Sequence, residues 1–218
     1  MLFRSINEIY PGIQSPTPPP PDYFLNRMIL SPRNTDVADL NTQILGMMPG
    51  EAESLLSIDS VVDEVAVDDG VSGSNALPPE FLCTLNPSGL PSGDLQLKPG
   101  CPLILLWNLC PVNGLCNGTQ MVLVWMSGCV LEVKLIGGER NGQLVLIPQI
   151  ALAPTEAQTG LAFVLKHWQF PVRLAFALTI NKSQGQSIRH IGIDLCILVF
   201  LHGQLYVALS RATSSQNI

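Results

Sequence analysis

The clearest repeating pattern lies in residues 27–45, where a short apolar run leads directly into apolar positions at helical spacing. The run "RMIL" predicts a short buried strand, and "SPRNTDVADLNTQIL" then supplies a turn and a helix capped by Thr35 or Asn34. The apolar positions of that helix fall on one face: Val37, Leu40, Ile44 and Leu45. A strand followed at once by a helix is typical of an α/β fold.

Between residues 77 and 165 the apolar positions form short runs separated by turn signals. The runs are "CPLILLWNL", "TQMVLVWM", "CVLEVKLI" and "QLVLIPQI", with "PVNGLCNG", "SG" and "GGERNG" between them. Strands this closely spaced favour antiparallel pairing. The pattern predicts a small antiparallel β-barrel.

The α/β pattern returns after residue 165. "VRLAFALTI" predicts a strand, "NKSQGQS" a loop, "IRHIGIDL" another strand and "HGQLYVALSRATS" a helix. We therefore expect one α/β domain in two pieces, 25–76 with an acidic linker and 166–218, and a β-barrel domain inserted at 77–165.

Residues 1–24 are expected to form a tail or linker, because "PGIQSPTPPPPD" is too rich in proline for a regular helix or a central strand. A polyproline ligand is the alternative for this segment. The first residues lack the apolar core of a signal peptide, and the longest apolar runs are too short to cross a bilayer. We expect a soluble intracellular protein with no membrane partner.

Composition limits the role of charge. Apolar residues are 47% of the chain and charged residues 13%, while 11 Lys+Arg against 17 Asp+Glu give a net charge of −6. This charge argues against bulk electrostatic binding of nucleic acid, although a local basic groove is compatible with it. The six cysteines form no CxxC pair, so we expect buried free thiols and no metal site.

A search for catalytic motifs is mostly negative. The sequence contains no GxxxxGK(S/T), GxSxG or HExxH. The string "VVDE" suggests a magnesium carboxylate at Asp63–Glu64, but no phosphate loop precedes it and an acidic surface segment explains it better. His167, His190 and His202 follow no triad or metal pattern, so we expect structural or surface histidines.

Two polar patches at the ends of apolar segments remain as candidate sites. "TINKSQGQS", residues 179–187, places hydroxyls, amides and Lys182 on a glycine-containing loop that can donate hydrogen bonds to phosphate oxygens or a ribose. "YVALSRATS" places Arg211 beside Ser210, where a guanidinium can bind a phosphate with two hydrogen bonds. A capped loop and a surface ion pair are the structural alternatives for the two patches.

Taken in order, these segments resemble the Pif-family ATP-dependent DNA helicases, and among them the eukaryotic group that includes the helicases of Helitron transposons. The resemblance rests on "RMILSPRNTDVADLN", "LPPEFLCTLNPSGLP", "LKPGCPLILLWNL", "QFPVRLAFALTINKSQGQS" and "HGQLYVALSRATSSQNI". It covers about residues 25–218, is most specific over 169–218, and corresponds to the C-terminal half of such a motor.

The resemblance implies a RecA-like second motor domain with an inserted Src-homology-three-like barrel, and ATP and Mg²⁺ as cofactors. In the family, a first motor domain carries the phosphate loop and the magnesium carboxylate, and no segment here matches it. The family's "TINKSQGQS" loop contacts single-stranded DNA and couples it to the nucleotide. The DNA-binding residues implied by position are Thr179, Asn181, Lys182 and Ser183. The implied ATP-binding residues are Arg33, Asn34, Gln184, Gly185 and the catalytic arginine finger, Arg211.

The sequence departs from the family pattern mainly at basic positions. Arginine or another basic residue is usual where this chain has Trp107, Gln120, Gln149, His167, Trp168 and Cys196. Proline and serine are usual where it has Leu198 and Leu201. A single C-to-T change explains each difference, which is the mark that cytosine deamination leaves in a methylated repeated element. Because phosphate contacts supply much of DNA affinity, we expect weak binding of single-stranded DNA.

We therefore expect a C-terminal fragment of an ATP-dependent 5′-to-3′ DNA helicase that acts in the nucleus, in repair, recombination or Helitron transposition. Such a fragment is expected to be inactive alone, with its missing partner, a first motor domain, encoded upstream of Met1. The alternatives are a single-stranded-DNA-binding adaptor without catalysis and a degenerate transposon relic.

Overall fold

A computed structural model describes residues 2–17, 19–62, 79–82, 85, 87, 89–153, 163–195 and 203–214. The helices are α1 (Leu2–Ile9), α2 (Pro21–Leu25), α3 (Asn34–Met47), α4 (Pro79–Leu82) and α5 (Gln204–Leu209). The strands are β1 (Arg27–Ser31), β2 (Glu53–Leu56), β3 (Ile58–Val62), β4 (Asp94–Leu97), β5 (Pro102–Leu105), β6 (Gln120–Met126), β7 (Val130–Leu135), β8 (Leu144–Pro148), β9 (Ile150–Leu152), β10 (Val164–Gln169), β11 (Val172–Leu174), β12 (Ala177–Thr179) and β13 (His190–Ile193).

Three parallel strands in the order β12-β1-β13, together with α3 and α5, form what we call the α/β part. The central strand β1 is largely buried, as the run "RMIL" predicted. α3 packs against β1 and β12 and buries its predicted apolar face, Val37, Leu40, Ile44 and Leu45. The predicted strand and helix are therefore confirmed, although the helix begins at Asn34 after Arg33 and no side chain caps it.

Strands β2–β11 form the β-rich region, which contains three antiparallel sheets. The largest has the order β11-β5-β6-β7-β8, and the smaller two have the orders β3-β10-β9 and β2-β4. β5 to β8 pair in sequence order, which confirms the strands predicted in residues 101–150. The described strands do not form the predicted closed barrel, because β11 and β8 are the two edges of an open sheet with no hydrogen-bonded pairing between them.

The segment "VRLAFALTI", predicted as one strand, is two strands in different sheets. β11 pairs with β5 of the β-rich region, whereas β12 pairs with β1 of the α/β part. Between them Phe176 is fully buried, and its carbonyl accepts a hydrogen bond from Ile29 N (3.1 Å). The two parts also share a hydrophobic core, in which Ile104 of β5 packs in one cluster with Leu30 of β1.

The N-terminal segment packs against the α/β part. Ile6, Tyr10 and Ile13 are buried, and Tyr10 Oη donates a hydrogen bond to the carbonyl of Phe176 (2.5 Å). Burial raises the pKa of the Tyr10 hydroxyl well above its usual range, so it remains a donor at neutral pH. The expected free tail is therefore wrong for residues 6–13, because their apolar side chains complete the core.

The acidic stretch after α3 contributes β2 and β3 to the β-rich region. Asp63–Glu64, the weak magnesium-carboxylate candidate, lies outside the described residues. None of the helices in the described ranges is both long and apolar enough to cross a membrane.

Candidate functional site

The carboxyl ends of the three parallel strands lie at one edge of the sheet. Ser31 at the end of β1 is in register with Thr179 at the end of β12. The Ser31 hydroxyl donates to Asp194 Oδ2 (3.2 Å), and Asp194 directly follows β13. Loops at such an edge converge, which is why open parallel sheets bind their ligands there. The loop of residues 179–187, hereafter the 179–187 loop, begins at this edge.

The 179–187 loop is a tight turn in which several polar side chains are exposed. Residues Ile180–Ser183 form a 3₁₀ helix, after which Gly185 adopts a φ of 87°, a backbone conformation that glycine permits. Asn181, Lys182 and Gln184 are exposed, and Thr179 is half-buried. These residues can reach a ligand outside the loop.

Ser183 is buried, unlike the other predicted DNA-binding residues of the loop. Its side chain is fully buried, and its hydroxyl donates a hydrogen bond to the carbonyl of Ile180 (2.7 Å). The hydroxyl thus stabilises the turn and is not available to a ligand. A phosphate bound at this loop would have to use the exposed side chains or backbone N–H groups.

Lys182 is the cation of the loop. Partial burial of its ammonium group lowers its pKa, and the positive charge of Arg173 on β11 lowers it further. Burial also lowers the pKa of Arg173, which nevertheless stays charged at neutral pH. The positive charge of Arg173 therefore acts on Lys182, the cation of the loop.

Arg211, the predicted finger, is held against the end of the 179–187 loop. Its Nη1 donates to the carbonyl of Gln186 (3.3 Å), its Nε to the carbonyl of Val207 (3.2 Å), and its Nη2 to Ser210 Oγ (3.0 Å). The backbone reinforces this contact, because Ile188 N donates to the carbonyl of Arg211 (3.0 Å). The two polar patches identified in the sequence therefore contact each other.

Arg33 and Asn34 lie at the start of α3. Arg33 makes a two-point ion pair with Asp36, with Nε–Oδ2 and Nη2–Oδ1 both 3.0 Å. The hydrogen bond to Asp36 raises the pKa of Arg33, and the same hydrogen bond lowers the pKa of Asp36. In the described part of the chain, no hydrogen bond connects Arg33 or Asn34 to Arg211 or to the 179–187 loop. Their assignment to the nucleotide stays a prediction.

Sequence reasoning missed Gln186 as a connecting residue. Its Oε1 accepts a hydrogen bond from Gln120 Nε2 at the start of β6 (3.1 Å), while its carbonyl accepts from Arg211. Gln186 thus contacts the β-rich region with its side chain and the predicted finger with its backbone. The sequence analysis did identify Gln120, because the family usually has a basic residue at that position. Gln186 lies within the 179–187 loop that the sequence analysis identified, but the sequence did not predict its contacts with Gln120 and Arg211.

The described histidines and cysteines have structural roles or none in this site, and His202, Cys83 and Cys196 lie outside the described residues. His167 is buried, and its Nδ1 lies 2.5 Å from Asp59 Oδ1 across the β10–β3 pair, which confirms a structural histidine. Cys101 is buried, as predicted, but Cys129 is exposed, which corrects the expectation of buried thiols. Within the described ranges no three His, Cys, Asp or Glu residues are grouped so that they could hold a metal ion.

The sequence is similar to those of several known proteins. Residues 80–126 match the sequence model of the family described as DNA helicase Pif1, 2B domain. The chain is 35% identical over 185 residues to the ATP-dependent DNA helicase PIF1 of Mus musculus, a match that covers 84% of this chain and 25% of the mouse protein. It is 41% identical over 132 residues to the ATP-dependent DNA helicase Pif1 of Campylobacter jejuni, covering 57% of this chain and 29% of that protein.

Solved structures agree on the fold. Bacteroides Pif1 bound to ssDNA superposes with a TM-score of 0.63 and 22% identity, covering 88% of this chain and 39% of that one. Pif1 helicase from Candida albicans superposes with a TM-score of 0.61 and 20% identity, covering 99% of this chain and 52% of that one. The α/β, RecA-like helicase fold is therefore confirmed.

The resemblance to the Pif-family DNA helicases is confirmed for the part of those proteins that this chain covers. The chain spans about a quarter of the length of the mouse relative, 25%. We therefore treat the activity of the complete relatives as a proposal for this chain.

Proposed function

We propose that this chain supplies the second motor domain of an ATP-dependent, 5′-to-3′ Pif1-type DNA helicase. The observation that carries the proposal is the contact between the 179–187 loop and Arg211 at the carboxyl edge of the parallel sheet. In a motor that couples DNA to ATP, the DNA-contacting loop and the ATP-contacting arginine must move together, and here a hydrogen bond joins them. The relatives named above, which are ATP-dependent DNA helicases, support the assignment.

The exposed side chains of the 179–187 loop fit contacts with the phosphates of single-stranded DNA. Lys182 offers a charge, and Thr179, Asn181 and the backbone offer hydrogen bonds. These groups recognise the backbone and not the base sequence, as a translocating motor requires. Ser183 contributes by holding the turn in shape.

Arg211 fits the contact with the γ-phosphate of ATP, with Gln184 and Gly185 nearby in the sequence of the loop. The hydrogen bonds described for its guanidinium go to uncharged acceptors, so a phosphate can replace them with a stronger, charge-assisted pair. An arginine finger of this kind contributes about 10³–10⁵ in rate. The phosphate loop and the Mg²⁺ ligands would come from a first motor domain, because the sequence has no GxxxxGK(S/T).

A single-stranded-DNA-binding adaptor without catalysis is the second candidate. The observation in its favour is that this chain itself supplies an exposed cation on the loop, Lys182, whereas its sequence contains no phosphate loop. Both candidates require binding to single-stranded DNA. They differ in whether Arg211 ever contacts ATP.

An ATPase complementation assay separates the two candidates. The chain alone is expected to show no DNA-stimulated ATP hydrolysis above a no-protein control. Addition of a separately purified first motor domain of a Pif1 helicase is expected to restore DNA-stimulated hydrolysis. Hydrolysis that stays at background with the added domain, although the chain binds single-stranded DNA, would favour the adaptor. A nuclear location is part of the helicase proposal and can be checked with a tagged chain.

A further inference from the structure

Three amide side chains are almost completely buried in the described part of the chain: Asn41 (3% exposed), Gln169 (0%) and Gln204 (3%). Buried amides normally have hydrogen-bond partners, because an unpaired donor or acceptor loses its contact with water without compensation. Asn41 and Gln169 follow this rule, whereas Gln204 does not. Gln204, the first residue of α5, is therefore the buried amide whose role the fold does not explain.

The two paired amides each connect separate segments of the fold. Asn41 on α3 bonds both main-chain groups of Ala177, since its Nδ2 donates to the carbonyl (3.1 Å) and its Oδ1 accepts from the N–H (2.9 Å). Gln169 Nε2 donates to the carbonyl of Leu55 (2.9 Å), and its Oε1 accepts from Phe170 N (2.9 Å). In both cases the donor and the acceptor of the amide are used, so these side chains have a structural role.

The amide of Gln204 lies on the side of α5 that packs against the 179–187 loop. Its Nε2 and Oε1 are both buried, and neither has a hydrogen-bond partner among the described residues. α5 packs against the 3₁₀ helix Ile180–Ser183, and Ala208, four residues after Gln204, is buried in one cluster with Ile180 and Ile188. Because residues four apart lie on the same face of a helix, Gln204 shares this face.

The two ends of α5 differ in how they are bonded to the loop. After the C-terminal end, Arg211 Nη1 donates to the carbonyl of Gln186. At the N-terminal end, the amide of Gln204 is unpaired. The 3₁₀ turn of the loop is itself loosely closed, because Gln184 N lies 3.4 Å from the carbonyl of Asn181, beyond the usual range of about 2.7–3.2 Å. A small shift of this turn therefore costs little and can bring main-chain groups to the amide.

We propose that Gln204 is a positioning residue for ligand binding at the 179–187 loop: its amide is unpaired in the free chain and hydrogen-bonds to the main chain of Ile180–Ser183 when single-stranded DNA binds the loop. This inference rests on the proposed function, because it requires a ligand for the loop. An amide that is paired only in the bound state favours that state over the free one. Gln204 is buried, so it acts through the loop and not by contact with the ligand.

The test replaces Gln204 with methionine, which has a similar length and no amide, in the full 218-residue chain. Gln204→Met should raise the melting temperature of the free chain by about 2–4 °C, because it removes an unpaired buried group. It should also weaken the binding of labelled oligo-dT, measured by fluorescence anisotropy, about fivefold, as for one hydrogen bond. The slope of log affinity against log salt concentration, the salt slope, should not change, because the number of phosphate contacts stays the same.

Gln169→Met is the matched control, since the same substitution there removes a buried amide whose hydrogen bonds are formed. It should lower the melting temperature, because the carbonyl of Leu55 and the N–H of Phe170 lose their partner, and it should leave the DNA affinity of the folded protein unchanged. The opposite signs of the two stability changes distinguish an unpaired amide from a structural one.

Hydrogen exchange follows the loop directly. Oligo-dT should slow the exchange of the backbone amides of residues 180–183 in the unmodified chain, and it should slow them less in Gln204→Met, in which the loop gains no hydrogen bond from the side chain of residue 204. Equal protection in the two proteins would contradict the proposed contact.

The remaining outcomes separate the inference from the proposed function. An unchanged or lower melting temperature for Gln204→Met would show that the amide is already bonded in the free chain, and would overturn the inference. A raised melting temperature with unchanged or tighter binding of oligo-dT would also overturn it, because the amide would then be unpaired in both states. Both results leave the proposed function intact if the unmodified chain binds oligo-dT. If the unmodified chain does not bind oligo-dT at low salt, the proposed function and the inference are both wrong.

Discussion

The α/β part and the β-rich region differ in where they place their polar groups. In the α/β part, parallel strands bring all their carboxyl ends to one edge, where Ser31, Thr179 and Asp194 lie together. In the β-rich region, antiparallel strands alternate their ends, so polar turns are divided between both sides of the sheet. A parallel sheet of three short strands can therefore assemble a site that a larger antiparallel sheet does not.

The faces of the two parts differ as well. In the β-rich region large apolar side chains are exposed, including Trp125 at 54%, Leu146 at 60% and Ile58 at 70%. In the α/β part, α5 also exposes apolar side chains, with Tyr206 at 75% and Leu209 at 43%, but the loop at the carboxyl edge of the sheet exposes the polar groups of Asn181, Lys182 and Gln184. The proposed ligand contacts lie in the α/β part and at its border, so we expect substitutions in the two parts to have different effects.

The largest effect is expected from Arg211→Ala in the complementation assay. The restored ATPase should fall by about 10³-fold or more, because an arginine finger neutralises charge in the transition state. DNA affinity of this variant should remain close to that of the unmodified chain. The matched control in the β-rich region is Arg140→Ala, and an equal loss of ATPase in that control would remove the distinction between the two parts.

His167→Ala tests whether the β-rich region has a structural role only. The variant leaves the buried Asp59 carboxylate without its 2.5 Å partner on β10, which is expected to cost about 3 kcal/mol of unfolding free energy. Urea unfolding measures this loss. Once corrected for the folded fraction, DNA affinity should not change, and a specific loss of affinity in fully folded protein would assign His167 to the DNA path.

Substituting arginine at the positions where the family usually has a basic residue tests whether the loss of basic side chains weakens DNA binding. Gln120→Arg is expected to have the greatest effect among Trp107, Gln120, Gln149 and Trp168, because only Gln120 has a described hydrogen bond to the 179–187 loop. The fourfold variant should bind oligo-dT more tightly, with a salt slope steeper by about 0.7 for each additional phosphate that an arginine neutralises. An unchanged slope would show that these positions do not face DNA.

The smallest effect is expected from removing the hydrogen bond between Gln120 and Gln186, which joins the two parts. A double-mutant cycle of Gln120→Ala and Gln186→Ala should give a coupling free energy of about 1 kcal/mol in thermal or urea unfolding, as for one hydrogen bond. Gln120→Ala combined with Gln143→Ala, in the turn before β8, is the control and should be additive. A coupling of zero between Gln120 and Gln186 would mean that the 3.1 Å hydrogen bond does not stabilise the site.

Local patterns predicted much of the secondary structure of this protein. β1 and α3 are where the apolar spacing placed them, and so are β5 to β8, because the side-chain periods of helices and strands are set within each segment. The polar loop and Arg211 were also evident as candidates from residue types alone. Their contact was not, because it depends on Ile188 pairing with the segment after α5.

Sequence by itself determined the identity of the candidate groups and the class of fold, since both follow from short-range pattern and from motif order. Tertiary structure alone decided three things: Ser183 faces inward, the N-terminal residues around Tyr10 join the core, and "VRLAFALTI" divides between two sheets. The same level of structure placed Gln186 between Gln120 and Arg211. The physical reason is that burial and long-range pairing depend on which surfaces meet, and residues distant in sequence supply those surfaces.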